Sequence, residues 1–159
     1  VPDEGCQCRF GVFVVCVLIV AAAAVAGGMF TRTGVESEWY QQRKADITPP
    51  GWVFSVAWSI LYLLIAVSLY LAWIGAASAG QRRAVAVVFG INLILNAAWP
   101  ALYFGLQRPL LAFADLIALW LSIIAMIVVT WRIRRASALL LAPYLLWVSF
   151  AGVLNWLSR

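Results

Sequence analysis

The sequence predicts an all-α integral membrane protein, a five-transmembrane-helix bundle with a long first loop, on three observations. Of its 159 residues 65% are hydrophobic and only 11% are charged, which is more apolar surface than a soluble domain of this length covers. Five windows, at about 10–30, 51–74, 84–106, 109–131 and 137–157, each supply roughly the 20 apolar residues that cross hydrocarbon as a helix. These runs are continuously apolar, whereas membrane β-barrel strands alternate apolar and polar residues. Little chain lies between them, so residues 1–159 are read as a single membrane domain with no soluble part.

The first window ends in "AAAAVAGG". Its small residues resemble a cleavage region, but it is long for a signal-peptide core. Ala24 with Gly28, and Ala23 with Gly27, make small-xxx-small pairs suited to close helix packing, so a retained helix is expected. Cys6 and Cys8 flank one residue and Cys16 lies inside the window; two thiols do not complete a zinc site, and incidental thiols are expected.

Residues 31–50, "TRTGVESEWYQQRKADITPP", are the one long connection, a length that usually carries function or local structure. "SEWYQQRKA" predicts a short helix over the bundle mouth, capped by Ser37. Pro49 and Pro50 suit the start of the second helix, where a missing amide donor costs least. Gly105 and Pro109 punctuate the end of the third helix. Pro143, inside the fifth window, frees a carbonyl and predicts a kink.

The net charge of +5 is spread one to three residues per loop, which argues against nucleic-acid binding. With the N-terminus inside, that side carries Arg9, Arg82, Arg83, Arg132, Arg134 and Arg135, and the other carries Arg32, Arg43, Lys44, Arg108 and Arg159. So even a distribution assigns no orientation. No internal repeat implies an inverted-repeat transporter.

Histidine is absent, which excludes bis-histidine haem ligation, a histidine general base and a histidine-rich metal site; no metal site is expected. Asp115 is the one carboxylate well inside an apolar window. It is either functional, as costly intramembrane acids commonly are, or a neutral hydrogen-bonded group near a helix end. Asn92, Asn96, Trp99 and Tyr103 share one helical stripe. On spacing alone, interhelical hydrogen bonding worth about 0.6–2 kcal/mol per contact is the preferred reading. Tyr144, Trp147, Ala151 and Asn155 repeat the design, with Ala151 leaving room beside Trp147.

Nine tryptophans need an account. An interfacial belt suits Trp52, Trp73, Trp131 and Trp156, but not Trp58, Trp120 and Trp147, which lie farther inside. Flat aromatic faces with a few amides and one acid suit a large planar, mostly apolar ligand, and a tetrapyrrole has that form.

The motifs "EWY", "PPGWVFSVAWSILY", "LNAAWPALYFG", "LLAFADL" and "APYLLWVSFAGVLN", in this order and covering nearly all the chain after residue 35, resemble the translocator protein family, also called tryptophan-rich sensory or peripheral-type benzodiazepine receptor proteins. The resemblance implies a five-helix bundle, often a homodimer, that binds porphyrins such as protoporphyrin IX or haem and, in some members, sterols and synthetic benzodiazepine-type ligands. Carried over by position, the ligand-binding set is Tyr40, Pro49, Trp58, Asn96, Trp99, Asp115, Leu119, Trp147 and Ala151. Porphyrin is then a ligand and no cofactor is obligatory. The expected function is a porphyrin receptor in tetrapyrrole homeostasis, transport or stress sensing, in a bacterial cell envelope. The alternatives are a light- and oxygen-dependent porphyrin-degrading enzyme, with Trp58 and Trp147 as candidate electron donors, or a sterol- or lipid-binding transporter.

Stacking on Trp58, Trp99 and Trp147 is expected to hold the macrocycle, with Arg43 and Lys44 at its propionates and Phe54 and Tyr62 as packing neighbours. Two departures stand out. The loop reads "QQRKADIT" where relatives commonly have Leu-x-Lys-Pro and aromatics. At the C-terminus, Leu154, Trp156 and Arg159 put tryptophan where the weak cholesterol motif has tyrosine.

Overall fold

A computed structural model describes the backbone of residues 4–159 and the side chains of residue 7 and residues 9–159; the Cys6 and Cys8 thiols lie outside the described residues. The chain forms α1 (Glu4–Gly34), α2 (Glu38–Arg43), α3 (Gly51–Gly75), α4 (Ala79–Pro100), α5 (Pro109–Trp131), α6 (Arg135–Leu139) and α7 (Ala142–Leu157). A π-helical turn, Ala101–Gly105, continues α4. Among the described residues there is no strand. Five segments are long and apolar enough to span a membrane: Arg9–Gly34, Gly51–Gly75, Ala79–Gly105, Pro109–Trp131 and Arg135–Leu157. The predicted all-α five-helix architecture is the one observed.

Where helix ends depart from the hydropathy windows, local hydrogen bonding explains the difference. The third span starts at Ala79 rather than near 84, because Ser78 Oγ accepts from Gln81 N at 3.2 Å while Gln81 Oε1 accepts from Ala77 N at 2.7 Å. That is a capping box whose return bond goes to Ala77, one residue before the cap; it starts a helix through Gln81, Arg82 and Arg83, which lie outside the apolar run. The first helix runs on to Gly34, with Thr31 Oγ1 bonding back to the Gly27 carbonyl at 3.1 Å.

Pro143 does more than kink the fifth span: it divides α6 from α7 at Leu140 and Leu141. It has no N–H for the Leu139 carbonyl one turn earlier. Leu141 is fully buried, so part of this irregular backbone is covered by protein, where a bilayer tolerates it. Beside the break, Ser68 and Ser137 bond reciprocally: Ser68 Oγ to the Ser137 carbonyl at 2.9 Å and Ser137 Oγ to the Ser68 carbonyl at 2.8 Å.

In the bundle α1 packs on α3 and α4, α4 on α5, and α5 on α7. The buried apolar cluster takes one half of each long helix: Cys16 and Val20, Leu61 to Ala72, Val85 to Leu93, Leu116 to Met126, and Leu141 to Val148. Helix direction alternates, so these stretches meet in one half of the bundle. The opposite half, beneath α2, is hollow. Replacing Ser68 with Ala removes two of the serine contacts and is expected to lower stability by about 1 kcal/mol, measured by graded unfolding in mixed detergent; an unchanged midpoint would remove the Ser68–Ser137 pair from the account.

Candidate functional site

The hollow half encloses a cavity of about 570 Å³, within the range of small-molecule sites. Helix α1 contributes Gly27, Gly28 and Arg32, α3 contributes Phe54, Trp58 and Tyr62, and α4 with its π turn contributes Asn96, Trp99, Tyr103 and Phe104. Leu116 and Leu119 come from α5, Val148, Ala151 and Asn155 from α7, and Tyr40 and Lys44 from the α2 segment.

The α2 segment is fastened by polar and aromatic contacts. Ser37 caps it as predicted, accepting from Tyr40 N at 3.3 Å and donating to the Gly34 carbonyl at 2.6 Å, and Gln41 Nε2 donates to the Val35 carbonyl at 2.7 Å. Below it the π turn swings Tyr103 and Phe104 upward. Trp39 and Tyr40 meet Tyr103 edge-on at 5.6 and 6.3 Å, and Tyr40 meets Phe104 at 5.4 Å. Gly34 is obligatory here, because a Cβ would overlap the Phe104 ring. Burial first, and then the neighbouring Tyr103, push the Tyr40 phenol above its ordinary pKa, so this part of the roof stays uncharged at neutral pH.

Trp99 stacks on Tyr103 at 5.1 Å and 14°, which covers one of its faces. Its indole N–H donates to Asn155 Oδ1 at 3.0 Å, and Asn155 Nδ2 donates to the Pro109 carbonyl at 2.9 Å. One amide therefore ties α4, α7 and the start of α5 together at the roof end. Tyr103 OH adds a bond to Ser158 Oγ at 2.6 Å. At the inner end of the cavity the stripe asparagines bond across helices, as their spacing suggests. Asn96 bonds Tyr62 and Tyr144, each at 2.6 Å, and Asn92 bonds Tyr144 at 3.2 Å and Ser122 at 2.8 Å.

Of the nine residues assigned to the site from sequence, Tyr40, Trp58, Asn96, Trp99, Leu119 and Ala151 line this cavity, and Pro49, Asp115 and Trp147 do not. The turn that bonds Thr48 N to the Ala45 carbonyl at 2.9 Å puts Thr48 on the wall and leaves Pro49 beyond it. Helix α5 presents Leu116 and Leu119, and Asp115 is rotated from Leu116 by about 100°. Its Oδ2 is buried without a partner among the described residues, as is Trp147 Nε1. Helix α7 presents Val148, Ala151, Leu154 and Asn155, with Ser158 just past its end, so Ala151 and Asn155 of the predicted stripe are on the wall, Val148 stands there in place of Trp147, and Tyr144 is bonded to Asn96. Trp147 stands behind Phe54, whose ring meets it edge-on at 5.7 Å.

Phe54 and Tyr62, expected as packing neighbours, are wall residues. Lys44 reaches the cavity as expected, but Arg43 lies over the Trp39 ring at 5.4 Å; the second cation on the wall is Arg32. Of the small residues in α1, Gly27 packs closely, since a Cβ there would meet Pro100 Cγ at 3.4 Å, while a Cβ on Gly28 meets nothing within 4 Å. The small-residue spacing signalled close approach, and only half of it is used that way. In the cholesterol-type motif, Arg159 lies on the Trp156 ring at 3.2 Å, so those two residues engage each other.

A sequence profile of the TspO/MBR family matches residues 15–158. The chain belongs to the TspO/MBR family. It is 42% identical to the "Tryptophan-rich protein TspO" of Archaeoglobus fulgidus over 139 residues, covering 87% of this chain and 89% of the relative. It is 34% identical to the Chlorobaculum tepidum protein of the same name over 142 residues, 88% and 89% of the two chains. The Bos taurus "Translocator protein" is 31% identical over 142 residues, 87% and 83% of the two chains. With five spanning helices, this TspO/MBR chain is a multi-pass membrane protein, and the family match takes in every element that lines the cavity.

Replacing Asn155 with Leu strands the Trp99 indole N–H and is expected to cost about 1–3 kcal/mol, together with a blue shift in tryptophan emission. A stability change under a few tenths of that range, with unchanged emission, would separate Asn155 from the setting of Trp99.

Proposed function

We propose that this TspO/MBR protein binds porphyrins, protoporphyrin IX or a similar tetrapyrrole, in the cavity beneath α2, in the service of tetrapyrrole homeostasis, transport or stress sensing. The observation that carries the reading is the distribution of chemistry along the cavity. Trp58, Phe54, Tyr62 and Trp99 supply flat apolar walls, while the cations Arg32 and Lys44 share the wall with α2. A planar macrocycle with acidic side chains matches both, by burial and stacking of its body and by charge at its edge. Trp147 is not needed for stacking.

With no histidine in the chain, a haem iron gains no imidazole, so metal-free porphyrin is expected to bind at least as tightly as haem. Titrating protoporphyrin IX and haem into purified protein, with tryptophan quenching as the signal, checks this; a large preference for haem would count against the site. Ala151→Phe, which fills the cavity, is expected to weaken porphyrin binding at least tenfold, about 1.4 kcal/mol, while the protein still elutes as a folded species. Loss of stability with affinity intact would make Ala151 a packing residue.

The alternative reading, porphyrin breakdown in light and oxygen, has one supporting feature. The Trp58 ring lies on the wall, 5.5 Å from Tyr62 and 6.3 Å from Tyr144, near enough for an aromatic pair to give an electron to a photo-excited ligand. Under this reading Trp58→Phe lowers the product yield under illumination and Trp147→Phe leaves it unchanged. A yield no greater than that of protein-free porphyrin would end it.

A further inference from the structure

Five hydrogen bonds form an unbranched path from the cavity wall into the packed half of the bundle. Tyr62 OH bonds Asn96 Oδ1 at 2.6 Å, Asn96 Nδ2 bonds Tyr144 OH at 2.6 Å, and Tyr144 OH bonds Asn92 Oδ1 at 3.2 Å. Asn92 Nδ2 then bonds Ser122 Oγ at 2.8 Å, and Ser122 Oγ bonds the Leu119 carbonyl at 2.6 Å. Tyr144 and Asn92 are fully buried, and among the described residues their side-chain partners are those of this path.

The direction of the chain follows from its last member. A carbonyl oxygen cannot donate, so the Ser122 hydrogen goes to Leu119 and Ser122 Oγ only accepts along the chain. Asn92 must therefore turn its NH2 to Ser122 and its oxygen to Tyr144, which obliges Tyr144 to donate to Asn92 and accept from Asn96. Asn96 in turn faces Tyr62 with its oxygen, and the Tyr62 hydrogen is spent on it. One backbone carbonyl thus orients two amides and two phenols, and buried chains of this kind reinforce each link.

We infer that Tyr62 is a specificity-determining hydrogen-bond acceptor, presenting lone pairs and no hydrogen to the cavity, and that the occupant is a flat apolar molecule with an N–H or O–H donor at its edge. An occupant with only an acceptor there sets oxygen against oxygen and leaves a buried polar group unpaired, the arrangement that discriminates most strongly between isosteres. Asn96 keeps one amide hydrogen of its own, so the role of Tyr62 is read from proteins that differ at Tyr62. The inference rests on the cavity being a ligand site, but not on the ligand being a porphyrin.

Carbazole and dibenzofuran test it, since the two flat tricycles differ in carrying N–H or O at the same edge. Their dissociation constants are measured in one detergent for the unaltered protein and Tyr62→Phe, so that partitioning cancels in the comparison. The preference for carbazole is expected to be about five- to tenfold greater in the unaltered protein. Asn92→Leu, or the smaller change Ser122→Ala if the first does not purify folded, frees the chain to reverse; the preference should then fall toward the Tyr62→Phe value although Tyr62 remains. An equal preference with and without the Tyr62 hydroxyl overturns the acceptor role, and a full preference in the chain-breaking variants overturns its origin at Leu119. Protoporphyrin titration is a separate readout: loss of porphyrin binding with carbazole selectivity retained defeats the porphyrin reading alone.

Discussion

The bond between Asn96 and Tyr144 sits at the seam of this molecule. On one side the five spans are packed solid through Ile65, Phe89, Ile123 and Leu141; on the other they part around the cavity. A bilayer gives helices no hydrophobic reason to associate, so packing and interhelical hydrogen bonds must hold them. Placing the polar chain at this level lets the packed half hold the hollow half open. It joins α3, α4, α5 and α7 through side chains, while the empty volume lies where few core contacts are lost.

The membrane also governs where the backbone departs from a regular helix. Two spans do so: the fifth at Pro143, and the third where the π turn follows Pro100. Beyond the turn, Gln107 takes a left-handed conformation at φ 52°, and Arg108 N bonds back to the Leu102 carbonyl at 3.0 Å, so the released carbonyls find partners before α5 begins. The π turn has a consequence for the cavity, because the extra residue per turn shifts the helix face and brings both Tyr103 and Phe104 to the roof.

The roof and walls have different physics. The roof is a cluster of edge-on aromatics over Gly34, pinned by the Ser37 and Gln41 hydrogen bonds, with Arg43 on Trp39 and Lys44 at the wall. The polar atoms at the cavity's inner end are largely occupied by each other, so the wall is apolar with a few oriented groups. Such an interior favours flat ligands through burial and then selects among them by their edges.

Much of this was legible in the chain. Run length and continuous hydropathy gave the five spans, because a bilayer requires about 20 apolar residues with internally bonded backbone. Ser37 announced α2 through its capping chemistry, and the spacing of Asn92, Asn96, Trp99 and Tyr103 announced one shared face. These features are local, set by neighbours within a turn or two. The Ser78 capping box was also legible in "SAGQ", though hydropathy averaging hides it. What the sequence could not convey was rotation and depth. Neighbouring positions on a helix differ by about 100°, enough to put Val148 on the wall with Trp147 behind Phe54, and Leu116 on it with Asp115 off it, while Phe54 and Tyr62 share the wall with Trp58. Periodicity names a stripe, but how that stripe is turned depends on which residues of the other helices fill the space beside it. The direction of the Tyr62–Ser122 chain likewise belongs to no single segment, because it exists only when four helices bring five side chains into line with a carbonyl of α5.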